Sequence, residues 1–157
     1  EGYRYSVYPF TGSVDFTHPE GLLLPLQSIK ITKVATVAVP GEHDRQVVVV
    51  FQEKGKDYAV PIGVDDGGDV TIYADEMFFY EDPHTLYSFW PQDVWDAIAK
   101  HEVHKGMNEI QVAFAIGMGV PEPGGSQALK TVNYPNGGKA VSVTYNNGRA
   151  VDIKYAS

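Results

Sequence analysis

The chain has 157 residues, a formal net charge of −8 and no cysteine. The acidic balance argues against a nucleic-acid-binding protein, which usually carries a basic face, and against docking on anionic lipid through a polybasic patch. Without cysteine there can be no disulfide, no thiolate nucleophile and no cysteine-ligated zinc site.

Residues 1–82 are predicted to form a β-rich domain. The first residues alternate around Tyr3 and Tyr5, which indicates a short strand or an extended arm. Between residues 22 and 39 the alternation of apolar side chains changes phase at Lys33. Such a shift inside a strand indicates a bulge or a bend.

A run of β-branched residues over 46–52 predicts a buried strand. Residues 57–62 predict its hairpin partner, with Pro61 directing the far end to a sheet edge. Two further short strands are predicted over 70–73 and 76–80. Short strands at near-regular spacing, separated by turn residues, are typical of a compact barrel or a curled sheet. We therefore expect a small β-barrel or curled sheet of SH3-like topology.

Residues 83–157 are predicted to form a second domain that begins with two short amphipathic helices. Pro83 marks a linker, because the residue before a proline is pushed out of helical geometry. Pro91 suits the first position of the first helix, where a missing N–H costs nothing. Asn108 is a favourable N-cap for the second helix, and Gln111 three residues later completes a capping box.

Gly117 is predicted to stop the second helix, and three strands follow over 129–134, 139–145 and 150–155. The turns between these strands are rich in Asn and Gly, which accept positive φ and favour hairpins. Val141, Val143 and Tyr145 alternate with polar residues, so one face of the sheet is buried. The two helices should cover that face, which gives an α-α-β-β-β layer and places the whole chain in the α+β class.

The second domain resembles a known family. The segment Gly106–Val112, then Gly117, a proline loop and the hairpin Tyr145–Val151 are similar to the pattern of BamE/SmpA-type outer-membrane lipoproteins, whose wider fold group includes the β-lactamase inhibitory proteins. The exit Gly117–Pro121 is longer than the family's Gly-x-Pro turn, and the family's lipidation cysteine is absent. In the family these residues build the fold and are not catalytic. The resemblance therefore implies an envelope-located binding or scaffolding module.

Aromatic residues are concentrated between Phe78 and Trp95, on both sides of the predicted linker. They can form a core between the two domains, which is the more common role of such a cluster. Alternatively, Tyr87, Phe89 and Trp90 form an exposed ledge that binds a protein partner or a glycan, since aromatic residues are enriched at binding hot spots. These three residues are the predicted binding site.

The titratable residues do not indicate a catalytic or metal-binding site. His101 and His104 flank Glu102, but their spacing differs from that of the zinc-hydrolase helix. The turn Asp65–Asp69 is rich in aspartate and glycine, but it lacks the alternating ligands and the distal glutamate of a calcium-binding EF-hand. No serine has the context of a nucleophile elbow. We therefore predict no catalytic residue, no metal and no cofactor.

We expect a non-catalytic protein of the bacterial cell envelope, exported to the periplasm, the outer membrane or the cell surface, from which a signal peptide has been removed before Glu1. No apolar run approaches the roughly 20 residues of a spanning helix, so a membrane would be contacted only through a lipid anchor upstream of Glu1. The partner should be another envelope protein. The alternative is an inhibitor of a secreted or envelope hydrolase, with the acidic loops Glu42–Asp44 and Asp65–Asp69 entering its cleft. An enzyme or metal protein that uses His101, Glu102 and His104 is a third hypothesis.

Overall fold

A computed structural model describes residues 5–157, so the predicted role of Tyr3 lies outside the described residues. These residues divide into two compact units. The N-terminal unit comprises residues Tyr5–Leu23 and Ser28–Leu86, and the C-terminal unit comprises Leu24–Gln27 and Tyr87–Ser157.

The N-terminal unit is built on one antiparallel sheet with the strand order β2-β1-β5-β4-β3, in which β6 also pairs with β5. Two single-turn helices follow the sheet in sequence. The elements are β1 (Ser6–Pro9), β2 (Gly21–Leu22), β3 (Ile31–Ala38), β4 (Arg45–Glu53), β5 (Lys56–Asp65), β6 (Val70–Ile72), α1 (Ala74–Met77) and α2 (Pro83–Leu86).

Strand β4 is buried on both faces, which confirms the interpretation of its β-branched run. Val48 and Val50 belong to one apolar cluster, which includes Phe10 from the segment after β1. Val47 and Val49 point to the opposite face and belong to a second cluster. Because successive side chains of a strand alternate between faces, a continuous apolar run needs apolar cover on both sides, and this sheet provides it.

The SH3-like expectation is wrong for this unit. The sheet order ends at β2 and β3, and no pairing joins these two strands within residues 5–157. The strand predicted over 76–80 is also wrong, because residues 76 and 77 belong to helix α1 and residues 78–80 form no strand. Pro61 lies inside β5 and pairs with Val48 of β4, where the register shifts between Val47 and Val48. On the other side of β5 it falls between the residues paired with β1 and those paired with β6, so the expected edge holds for that side only. A bulge tolerates proline inside a sheet, since a ladder hydrogen bond is already interrupted there.

The C-terminal unit contains two eight-residue helices and a four-stranded antiparallel sheet of order β10-β9-β8-β7. Its core is formed where the apolar faces of the helices and the sheet meet, and fully buried members include Val112, Val143 and Tyr145. The elements are α3 (Gln92–Ala99), α4 (Glu109–Ile116), β7 (Val120–Pro121), β8 (Leu129–Tyr134), β9 (Val141–Asn146) and β10 (Arg149–Tyr155).

The predicted α+β class with an α-α-β-β-β layer is wrong. Strands account for 37% of the described residues and helices for 18%, so the described part of the protein is mostly β. The C-terminal sheet gains a fourth strand because the segment after α4 turns back onto β8 through β7. Gly119 permits this close approach, since a Cβ there would lie 2.7 Å from side-chain atoms of Tyr134 and Val132. A two-residue strand carries no periodicity that a sequence pattern can detect.

Several local predictions are confirmed. The side chain of Asn108 accepts a hydrogen bond from the backbone N–H of Gln111, and the side chain of Gln111 accepts one from the N–H of Asn108, which completes the capping box. Asn147 and Gly148 both have positive φ and join β9 to β10. The pairing of β3 with β4 shifts between Ile31 and Lys33, where the phase change indicated a bulge.

Candidate binding groove

A surface cavity with a volume of about 450 Å³ is lined only by residues of the C-terminal unit. We call it the aromatic groove. One wall is the segment Phe89–Val94, which leads into α3 and forms its first turn. The other is the loop His104–Asn108, which precedes α4, together with Gln111 and Arg149.

The first wall is fixed by ring packing. The rings of Tyr87 and Trp90 are stacked with centroids 4.3 Å apart, and Trp90 also contacts Trp95 (5.3 Å) and Phe114 (5.4 Å). Trp90 is consequently only 9% exposed, and Tyr87 is partly buried. Phe89 differs, since the residue lines the groove and is 76% exposed. Of the three predicted binding residues, Phe89 therefore presents a large apolar surface to solvent, and the other two hold it in place.

The second wall is fixed by hydrogen bonds to the start of β10. The N–H of Gly106 donates to the carbonyl oxygen of Ala150, and the N–H of Ala150 donates to that of Met107, both at 2.8 Å. The Arg149 guanidinium donates to the carbonyl oxygen of Gly106 at 3.1 Å. Gly106 has a φ of +92°, which a residue with a side chain adopts only with strain. The loop is thus tied to the sheet at three points.

The first turns of both helices line the groove. Pro91 is the N-cap of α3 and provides no side-chain cap, whereas Asn108 caps α4. Exposed N–H groups make a helix N-terminus the positive end of its dipole. The fixed charges on the lining are the cations Lys105 and Arg149 and the carboxylate Asp93. With His104 neutral, the lining therefore carries a formal charge of +1 in a chain whose net charge is −8.

Gln111 is the one buried polar residue of this unit's described core, with 3% of its surface exposed. Its side-chain oxygen accepts the N–H of Asn108 at 2.9 Å, which fixes the orientation of the amide. The amide nitrogen then carries two donor hydrogens, and no acceptor for them is found within residues 5–157. Because Gln111 lines the groove, a bound molecule can supply that acceptor.

The aromatic residues of the groove, Phe89 and Trp90, are among the predicted binding residues, but the sequence patterns did not indicate its polar side. Gln111 was recognised only as half of a capping box. Lys105 and Arg149 carried no signal, since they reach the groove through the loop and the last hairpin. The predicted aromatic cluster is also divided: Phe78 belongs to the N-terminal unit, where its ring lies 6.3 Å from that of Tyr5.

The histidines of the second domain are engaged separately. His101 donates from Nδ1 to the carbonyl oxygen of Ala115 at 2.8 Å. His104 pairs through Nε2 with Glu102 at 3.1 Å. No group of three or more His, Asp or Glu side chains that could hold a metal ion is found in the part of the chain that the structure describes.

A second cavity of about 350 Å³ in the N-terminal unit is lined by Asp15 and His18. Hydrogen bonds from Thr17 and then from His18 lower the pKa of Asp15 to about 2. Thr17 and Asp15 both contact the same ring nitrogen, Nδ1 of His18, at 2.8 and 2.7 Å. A catalytic histidine must contact the nucleophile with one nitrogen and the orienting acid with the other. The cluster is therefore an exposed loop structure and not a catalytic triad.

The acidic loops of the alternative hypothesis lie at one end of the N-terminal sheet, because Arg45 pairs with Asp65 in the register of β4 and β5. The side chain of Asp66 accepts hydrogen bonds from the N–H groups of Asp69 (2.7 Å) and Gly68 (2.9 Å). These bonds lower the pKa of Asp66, so its carboxylate is held ionised in a defined orientation.

Within residues 5–157, no helix is both long enough and apolar enough to cross a membrane. Compared with known proteins, the chain matches no family model, no curated protein and no solved structure.

Proposed function

We propose that this protein is a non-catalytic binding module that docks a short segment of a partner protein in the aromatic groove. The observation that carries the proposal is the ring of Phe89, which stays 76% exposed beside a preformed concave surface. Scattered apolar side chains on a surface need no explanation, but an aromatic ring at the mouth of a groove is typical of a recognition anchor. The walls of the groove are held by ring stacking and by the bonds to β10, so little ordering is needed on binding.

The contribution of Phe89 can be estimated from its exposed area. Burying an aromatic side chain fully stabilises a complex by about 1.5–3 kcal/mol. A partner that covers most of the ring should gain about 2 kcal/mol, which corresponds to a roughly 30-fold change in Kd.

Selection of short random peptides on the immobilised protein tests this function. The selected peptides should contain apolar side chains, and they should bind Phe89→Ala about 30-fold more weakly than the wild type. Tyr80→Ala is the matched control, because Tyr80 is 73% exposed and lies in the N-terminal unit. Peptides that bind the wild type and Phe89→Ala equally well would place recognition elsewhere and refute the proposal.

The location and family remain predictions from the sequence. If the chain is exported, the partner is a protein of the cell envelope, and the module acts as an accessory or scaffolding subunit. The resemblance to BamE/SmpA lipoproteins is compatible with that role, but the groove proposal does not depend on it. It depends on the exposure of Phe89 and the geometry of the two walls.

The second candidate function, inhibition of a secreted hydrolase, is favoured by the acidic tip of the N-terminal sheet. The turn Asp65–Asp69 is braced by hydrogen bonds to the side chains of Asp65 and Asp66, exposed at its tip and negatively charged, which suits a cleft lined by cations. Assays with secreted β-lactamases test it directly. Under this hypothesis Asp66→Asn weakens inhibition and Phe89→Ala does not. The absence of inhibition by the wild type excludes β-lactamases as the target.

A further inference from the structure

The polar groups on the inner lining of the aromatic groove are mostly hydrogen-bond donors. The amide nitrogen of Gln111 is buried and has no acceptor among the described residues. The guanidinium of Arg149 has five N–H donors, and the carbonyl oxygen of Gly106 accepts from one nitrogen of it. Lys105 adds an ammonium group, and the first turns of two helices face the same space. A buried donor without an acceptor is rare in folded proteins and requires an explanation.

We infer that the groove binds the C-terminal carboxylate of an extended peptide, with the last side chain of that peptide packed against Phe89. The inference rests on the proposed function and names the chemistry of the partner segment. The two carboxylate oxygens would accept hydrogen bonds from Gln111 and Arg149, with Lys105 as a further cation. Hydrogen bonds in which at least one partner is ionised, as a carboxylate is here, are about twice as strong as neutral ones.

A chain end fits the space better than an internal acidic side chain. A volume of about 450 Å³ is in the range of small-ligand pockets and accommodates only a few residues. At a C-terminus the carboxylate and the last side chain leave the same Cα, so both reach their walls within one residue. An internal glutamate would also require the chain to enter and leave the groove.

The charges favour a carboxylate over a polyanion. Asp93 lies on the α3 side of the groove and opposes a ligand with several negative charges. The net charge of −8 adds a general repulsion that grows with the charge of the ligand. A single carboxylate attached to an apolar residue meets both requirements of the site.

The test uses the peptide acetyl-Ser-Gly-Ser-Leu-Phe with a free C-terminus, its C-terminal amide, and the amide of acetyl-Ser-Glu-Ser-Leu-Phe. Titration of the full chain, followed by amide chemical shifts, should give a Kd for the free acid that is on the order of tenfold lower than for either amide. Shifts should occur at Gln111 and Arg149. Equal binding of acid and amide, or binding of the glutamate peptide as tightly as the free acid, overturns the inference.

Gln111→Glu removes the donor while keeping an acceptor for Asn108, since glutamate serves equally well at this position of a capping box. The variant should lose the preference for the acid over the amide. Because its carboxylate is buried, native amide dispersion in the spectrum of the variant is required before the titration is interpreted. Gln52→Glu, an exposed position on β4 of the other unit, adds the same charge and should keep the preference. Retention of the preference by Gln111→Glu would overturn the inference.

Failure of the inference is distinguishable from failure of the proposed function. If Phe89→Ala weakens the acid and the amide alike and the two bind the wild type equally, docking stands and the carboxylate inference fails. If neither the test acid nor its amide binds, the carboxylate inference fails. If, in addition, the peptides selected from the random library bind the wild type and Phe89→Ala equally well, the proposed function fails as well.

Discussion

Replacement of Tyr145 by phenylalanine tests how the core of the C-terminal unit is held together. The hydroxyl oxygens of Tyr145 and Tyr134 lie 2.6 Å apart, and both side chains are buried. Tyr145→Phe leaves the hydroxyl of Tyr134 without its hydrogen-bond partner. A hydrogen bond contributes about 0.5–1.5 kcal/mol net, and a buried polar group left unsatisfied costs about 1–3 kcal/mol. We therefore expect the free energy of unfolding to fall by about 2 kcal/mol.

Urea unfolding followed by tryptophan fluorescence measures this unit, because Trp90 and Trp95 belong to the same core cluster. Tyr155→Phe is the matched control; it removes the same atom from a side chain that is 63% exposed, and it should change stability by less than about 0.5 kcal/mol. The double variant Tyr134→Phe/Tyr145→Phe should cost no more than the single one, because it leaves no orphaned hydroxyl. A double variant that loses the sum of the two single effects would refute the reasoning.

Three further predictions concern the same unit. Gly119→Ala should lower the free energy of unfolding by about 1–3 kcal/mol, because its Cβ would lie 2.7 Å from the ring of Tyr134; urea unfolding measures the loss. Asn108→Ala removes the acceptor for the N–H of Gln111 and should cost about 1 kcal/mol in the same assay. Burial raises the pKa of Tyr134 from 10.0 to about 12 and raises that of Tyr145 as well. The folded state therefore disfavours tyrosinate, so this contribution to stability is complete below pH 10 and is lost as the pH rises through about 12.

Each of these predictions has an internal control. Gly68→Ala should be nearly neutral, since a Cβ there meets only an Asp66 oxygen at 3.5 Å. Asn108→Ser keeps a side-chain cap and should retain most of the stability that alanine loses. The double tyrosine variant should show a shallower loss of stability between pH 10 and 12 than the wild type; an identical loss would assign the alkaline transition to other groups.

The features that the sequence predicted well depend on residues close together in the chain. The capping box of α4 needs only Asn108 and Gln111, three positions apart. The last hairpin needs only the positive φ of Asn147 and Gly148. The burial of β4 follows from its own continuous β-branched run. In each case the physical cause lies within one turn or one strand, so a local pattern contains the necessary information.

The features that the sequence predicted poorly depend on distant pairings. Strand β7 exists because Gly119 lets two residues approach β8, and nothing in a two-residue segment specifies that partner. The position of Pro61 in a central strand depends on a register shift against β4. The sheet order of the N-terminal unit places β2 and β3, which are neighbours in sequence, at opposite ends of the sheet. An alternating pattern indicates that a strand is half-buried but does not identify its neighbours.

The candidate site shows the same division. The aromatic cluster around Phe89 was visible in the sequence, but composition cannot show which ring stays exposed when its neighbours stack. The donors were not predicted, because Lys105, Gln111 and Arg149 come together only when the loop before α4 pairs with the start of β10.

The placement of donors in an acidic protein also determines which ligands the groove can select. Repulsion by the net charge of −8 acts on any anion that approaches and increases with the anion's charge, whereas Gln111 contributes no charge and acts only at contact. The energy that favours a ligand therefore arises within the groove, where Arg149 and Lys105 outnumber Asp93. Salt screens the long-range repulsion more than it weakens a desolvated contact. Selectivity consequently rests on the fit of one carboxylate and one apolar side chain, and a molecule with many negative charges gains nothing from the additional ones.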